Sequence, residues 1–435
     1  MEKKNTWETY SSKQLKELEK INAQYRDFLD NGKTERECID TIVNTIEKSG
    51  YRELESLIKE GTALKTGDKV YSVWMNKSIA MFQIGRKPMT EGMNILGAHI
   101  DSPRLDVKQN PLYEDGGFAY LDTHYYGGVK KYQWVTIPLA IHGVIVKKDG
   151  TCVEINIGEN EDDPVFFVSD LLIHLAQEQL EKKAAKVIEG EALDIIVGNK
   201  PLLIDKKDKK KDEKEAGKEA VKAGVLDILK ETYDIHEEDF VSAELEIVPA
   251  GKAREAGFDR SMTLAYGQDD RVCAYTSMQA MLDSDVTDRT MCCILVDKEE
   301  IGSVGATGMQ SHFFENTMAE LLALAGEGTE LALRRCLASS RMLSSDVSAA
   351  YDPAYADYYK RRRNKETEEK LRERDNMLRS MWLHQKMCCP ICGQVIDTES
   401  SWGTIILPVN GRQFKQLVHK RCKAKFYSKV VGNEA

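Results

Sequence analysis

The chain has 435 residues, 42% hydrophobic and 30% charged, enough for about two or three domains of ~100–200 residues each and for a buried core. Its formal net charge of −10 argues against a general binder of polyanions. Its ten cysteines accompany a start, "MEKKNTWETYSSKQ", that lacks the apolar stretch of an export signal, so they read as reduced thiols or metal ligands and the expected place is the cytoplasm.

Up to about residue 90 the sequence reads mainly as helices. Leu15, Leu18 and Ile21, and later Ile39, Ile42 and Ile46, recur at the spacing of one apolar helical face. "MNILGAHIDSP" then changes character: a short apolar run, a glycine and a polar cluster closed by Pro103 describe a buried strand and the loop after it. From 107 to 248 short alternating segments such as "YQWVTIPLAIHGVIV" and "CVEINIG" predict a β-rich insert. The run "IPLAIHGVIV" is half the ~20 residues of a membrane-spanning helix and contains a histidine, so no membrane span is expected. Within the insert, 205 to 222 is too charged and too poor in apolar residues to pack, and reads as a mobile surface loop.

After 250 strands and helices alternate again. "RVCAYTSMQAML" places Val272, Tyr275, Met278 and Leu282 at helical spacing, followed by a strand, "MCCILV", a helix near 314 to 325, and "MLSSDVSAA". Cys292 and Cys293 read as inert core thiols. The alternation predicts an α/β sandwich with a largely parallel sheet, whose chemistry collects beyond the strands' carboxyl ends.

Four polar clusters each follow an apolar run: His99 with Asp101, Asp269 with Asp270, Glu299 with Glu300, and Asp346. Singly each is an ordinary cap or turn. Together, one imidazole and several carboxylates brought to one sheet edge are ligand types that suit paired zinc ions, which would offset the repulsion between adjacent glutamates. One glutamate would then bind metal while its neighbour stays free as the base that takes a proton from the attacking water. Asp101, two residues after His99, is placed to accept the imidazole's second N–H and fix its tautomer.

"GAHIDSPRLD", "AYGQDDRVCAYTS", "DKEEIGSVGATGM" and "SSDVSAAYDP", in that order, resemble the aspartyl aminopeptidase and vacuolar aminopeptidase I family of di-zinc exopeptidases, from about residue 10 to 363. The resemblance implies a phosphorylase/hydrolase-like zinc-peptidase sandwich interrupted by a β-rich dimerisation domain, and assembly into a homo-oligomer. It implies catalytic-domain parts at 1–106 and 249–363 around an insert at 107–248. It also implies that His99 and Asp346 bind one zinc, Asp269 bridges two, Glu300 binds the second, Glu299 is the general base and Asp101 orients His99. The implied reaction removes one N-terminal residue, acidic or neutral, from a peptide. A histidine of the neighbouring subunit's β-rich domain would help bind substrate, and His142 is the expected position.

Beyond residue 363 the family pattern stops, and its late zinc-binding histidine has no counterpart. The second zinc is therefore expected to be weak and activity impaired, as in a truncated member. Residues 364–387 alternate in charge like an exposed helical linker. In 388–435, Cys389, Cys392, His419 and Cys422 have the pairwise spacing of a structural zinc site. This segment resembles, more loosely, the zinc-bearing endonuclease module of group II intron maturases, without the histidines of a nuclease centre. Arg412, Lys415, Lys420, Arg421, Lys423, Lys425 and Lys429 leave weak nucleic-acid binding open, as part of an inactive fusion. A purely structural subunit of an aminopeptidase assembly is the remaining alternative.

Overall fold

The computed structural model describes residues 5–202, 219–359, 402–409, 412–420 and 422, in two compact units divided after Val347. The first unit begins with α1 (Ser12–Asp30), α2 (Glu35–Glu47), the short β1 (Arg52–Glu53), α3 (Leu54–Glu60), a hairpin of β2 (Lys69–Trp74) and β3 (Ser78–Gln83), and β4 (Asn94–His99). Then come β5 (Arg104–Asp115), β6 (Phe118–Tyr126), β7 (Leu139–Val146), β8 (Cys152–Ile157), the single-turn helices α4 (Gln177–Leu180) and α5 (Ala184–Val187), β9 (Ile195–Gly198), α6 (Ala220–Tyr233) and β10 (Ala243–Pro249). A small hairpin, β11 (Arg254–Ala256) and β12 (Met262–Leu264), leads into α7 (Gln268–Asp283), β13 (Met291–Val296), α8 (Phe313–Leu324), α9 (Glu330–Ser339) and β14 (Arg341–Ser344). In the second unit β15 (Trp402–Val409) pairs antiparallel with β16 (Arg412–His419).

Two sheets organise the first unit. One runs β1-β2-β3-β13-β4-β14. Its β13 is buried along its whole length because each face meets a helical layer. Cys293 and Leu295 pack with residues of α1, α2 and α7, whereas Cys292, Ile294 and Val296 pack with α3, α8 and α9. A strand covered on both sides has no polar face to alternate with, which is why "MCCILV" reads as one apolar run. The second sheet, β8-β7-β10-β5-β6-β9, is antiparallel throughout and has its own core around Leu139, Ile145 and Ile247.

The structure corrects several expectations. The predominantly helical start also contains β2 and β3, whose fully buried "SIAMFQ" is central in the first sheet. That sheet is mixed: β13, β4 and β14 are parallel, but β3 runs antiparallel to both its neighbours. Ile39, Ile42 and Ile46 form the buried face of α2 as expected, while α1 buries Tyr25, Phe28 and Leu29 and leaves Ile21 exposed. The charged stretch 205–222 lies outside the described residues except where α6 begins, so its last residues are helical. Residues 364–387 also lie outside them. Among the described residues no helix is long and apolar enough to cross a membrane.

Candidate metal centre

Because β13, β4 and β14 are parallel neighbours, their carboxyl ends share one edge of the sheet, and the residues that follow each strand meet there. His99 is the last residue of β4. Glu299 and Glu300 follow β13 through Lys298, whose φ of 73° turns the chain into a 3-10 turn over Glu299–Ile301. Asp346 follows β14, and Asp269 opens α7.

His99 is buried, and its two nitrogens face different partners. Nδ1 lies 3.0 Å from the Asp101 carbonyl oxygen and 3.2 Å from Asp101 Oδ1. Nε2 has no hydrogen-bond partner. Around it stand Asp269 Oδ1 at 3.4 Å, Glu299 Oε2 at 3.8 Å and Asp346 Oδ1 at 3.9 Å. Ligand atoms of His99, Asp269 and Asp346 all lie within 4.8 Å of one another. Such spacing fits donors sharing one ion at ~2.0–2.2 Å each. The three carboxylates are about half exposed, and Glu299 and Asp346, with His99, border an open cleft of about 220 Å³.

The electrostatics suit a bound cation. Burial works against the charged form of His99, yet Asp101, Asp270 and Glu299 outweigh it and hold the proton up to about 9. Burial, then the charge of Asp269, pushes Glu300 up to about 7. Burial pushes Asp270 up to about 6. Asp270 is fully buried and its Oδ2 is unpaired. Burial raises these carboxyls even beside His99, and a divalent ion would bring them down.

Asp101 is fully buried and accepts from all sides: the N–H of Glu299 at Oδ1 and that of Glu300 at Oδ2, both 3.1 Å, and the Tyr126 hydroxyl at Oδ2, 2.7 Å. Against its burial, His99 and Tyr126 hold its carboxyl below the usual range. Glu300 is not within the His99, Asp269, Asp346 group, although Asp269 bears on its charge.

His142 is elsewhere. It is fully enclosed, with Nδ1 2.7 Å from Glu37 Oε1 and Nε2 3.1 Å from Glu159 Oε1. Both of its nitrogens are occupied within the chain. Cys389 and Cys392 lie outside the described residues, as does the side chain of His419; Cys422 is buried. Sequence reasoning missed Tyr126, which belongs to the other sheet, and assigned no role to Asp270. No local spacing marks Tyr126, and the doubled aspartate was the available signal for Asp270.

Residues 28–369 match the family described as Aminopeptidase I zinc metalloprotease (M18). A relative from Clostridium acetobutylicum, "Probable M18 family aminopeptidase 1", is 60% identical over 361 residues, covering 83% of this chain and 76% of the relative. The crystal structure of aminopeptidase I from that organism superposes with a TM-score of 0.71 at 57% identity, over 81% of this chain and 74% of the other. The M18 aminopeptidase of Thermotoga maritima superposes with a TM-score of 0.74 at 43% identity, over 82% and 75%. The family match ends before the C-terminal cysteines.

Proposed function

The chain belongs to the M18 family and is a metallo-aminopeptidase; from that premise we propose that its carboxylate and imidazole cluster removes single N-terminal amino acids, acidic or neutral, from peptides. The observation that carries this reading is the buried, unpartnered Nε2 of His99 ringed by three carboxylates. In this reading His99, Asp269 and Asp346 hold one zinc, and Asp269 with Glu300 a second. The second is the weaker, since Glu300 stands outside the close group, and turnover is reduced accordingly. Zinc, when bound, supplies Lewis-acid chemistry, polarising the scissile carbonyl and acidifying a water. Glu299, 3.8 Å from His99 Nε2 and half exposed, takes that water's proton and passes it to the leaving amine. Asp101 fixes the proton on His99 Nδ1 and leaves Nε2 as a donor atom.

Hydrolysis of a panel of aminoacyl chromogenic substrates, with zinc content measured alongside, tests this. Glu299→Gln abolishes turnover and keeps zinc; His99→Ala loses both. Wild-type rates in Glu299→Gln, or full zinc in His99→Ala, sink the reading.

We read 107–248 as a dimerisation insert within a catalytic domain made of 1–106 and 249–363; support comes from the separate core of the second sheet. Self-assembly is supported by the run of exposed apolar side chains Leu171, Leu172, Ile173 and Leu175, since clustered exposed apolar groups mark interaction surfaces. A structural zinc on Cys389, Cys392, His419 and Cys422 rests on their spacing alone, and predicts one ion lost from Cys389→Ala.

A further inference from the structure

We infer that Tyr126 is a positioning residue for the metal centre, acting through Asp101 on His99 and through its strand end on Glu300; this rests on the reading of His99 as a zinc ligand. Tyr126 is the last residue of β6, in the β-rich sheet, yet its hydroxyl donates to Asp101 Oδ2 at 2.7 Å. Each oxygen of Asp101 thereby faces two donors: His99 Nδ1 and the Glu299 N–H at Oδ1, the Tyr126 hydroxyl and the Glu300 N–H at Oδ2. A carboxylate loaded in this way has one orientation. Without the hydroxyl, Oδ2 keeps a single partner and the group is free to turn, taking the imidazole with it. Partners of this kind set the direction and basicity of a metal-binding histidine.

The ring is itself held. The Arg104 guanidinium lies 4.0 Å from its centroid, and Lys298 Nζ, from the residue preceding Glu299, lies 5.3 Å away. Arg104 is anchored in turn by Glu35 at 2.5 Å. The next residue, Gly127, has φ of +71°, and a Cβ there would stand 3.1 Å from Glu300 Oε2. The end of β6 thus touches both sides of the centre, so the second sheet braces the first sheet's chemistry.

Tyr126→Phe removes the hydroxyl and keeps the ring packing. Zinc affinity measured by chelator competition on the full chain, and the visible absorption of the cobalt-substituted protein, are the readouts. The expected result is a 10–100-fold loss of zinc affinity and an altered cobalt spectrum, with KM unchanged and kcat lowered wherever turnover is measurable. Tyr125→Phe, the neighbour on the same strand whose ring stacks on His124, leaves both readouts at wild-type values. The cobalt spectrum reports only folded, loaded molecules, so a destabilised Tyr126→Phe still returns an answer. Wild-type zinc affinity and spectrum in Tyr126→Phe overturn the positioning role while His99-dependent zinc binding stands. Absence of His99-dependent zinc in the wild type overturns the metal reading and this inference with it.

Discussion

Two regions of the first unit concentrate ionisable side chains, and they are built on opposite plans. At the sheet edge, among the described residues, His99 is the basic group that faces Asp269, Glu299 and Asp346. Between α2 and the second sheet, acids and bases interleave. Buried Glu35 meets Arg104 at 2.5 Å, Arg104 also meets Asp106 at 2.7 Å and Glu246 at 3.2 Å, and Lys77 pairs with Glu244. His142 bridges Glu37 and Glu159, and Lys33 Nζ closes on Glu159 at 2.5 Å. Proton affinities differ within it. Against burial, Arg104 and Lys77 hold Glu35 far below the ordinary carboxylate range, and His142 helps hold Glu37 low, whereas burial outweighs Arg104 at Glu246 and holds that carboxyl well above the range. At the edge the carboxyls of Asp269, Asp270 and Glu300 are raised. A network that neutralises itself is structural; one left short of positive charge is prepared for a cation.

The largest test of that contrast is to delete one charge from each. Glu35→Gln leaves Arg104 buried without its closest partner, and breaking a buried pair costs ~3–5 kcal/mol. Denaturant unfolding is expected to show that loss with zinc stoichiometry unchanged. Asp269→Asn removes repulsion instead, so ion-free stability holds or rises while zinc binding fails. Equal destabilisation by both would erase the distinction.

Next in size is the response to pH and zinc. Folded, ion-free His99 keeps its proton up to about 9, Glu300 up to about 7 and Asp270 up to about 6, against unfolded values of ~6.5, ~4.3 and ~3.9. From about pH 4 to 9 the folded state therefore binds more protons than the unfolded chain, so these groups' contribution to stability falls as pH rises. Asp101, held low by His99 and Tyr126 against its burial, acts in the opposite sense, but only in acid. The expected outcome is a lower melting temperature for ion-free protein near pH 8.5 than near pH 6. Zinc at a hundredfold excess over its dissociation constant returns about 2.7 kcal/mol, with the greater affinity at the higher pH. A flat ion-free profile would remove the electrostatic case for the cation.

Legibility in the sequence followed distance along the chain. His99 and Asp101 are two residues apart on one strand end, and "MCCILV" followed by paired glutamates marks a strand and its loop, so local pattern sufficed for both. The antiparallel β2 and β3 do not stand out because β3, buried on both faces, shows no alternation, and no apolar run as long as that of "MCCILV" marks either strand. Tyr126 was beyond reach for another reason: its partner Asp101 lies 25 residues away, in the loop after β4, and Asp101 in turn binds the Glu299 N–H across 198 residues. Ring closures of that length depend on how two sheets dock, which no periodicity records. The surroundings of His142 are illegible for the same cause, since its enclosing acids come from α2 and from the loop after β8.

The smallest effect probes where the two plans meet. Gly127 follows Tyr126 with φ of +71°, a region that costs an ordinary residue ~1–2 kcal/mol. An added Cβ would also stand 3.1 Å from Glu300 Oε2 and 3.2 Å from Glu300 Cβ, tight enough to push that side chain aside. Gly127→Ala is therefore expected to lower stability by ~1–2 kcal/mol in denaturant unfolding and to weaken the second zinc more than the first, read as two separated steps in a zinc titration. The three atoms nearest that Cβ belong to Glu300 and Pro103 and none to Asp269 or Asp346, so the first ion is expected to suffer less. If both ions weaken equally, the end of β6 acts on the whole edge and the division between a close three-residue group and an outlying Glu300 is lost.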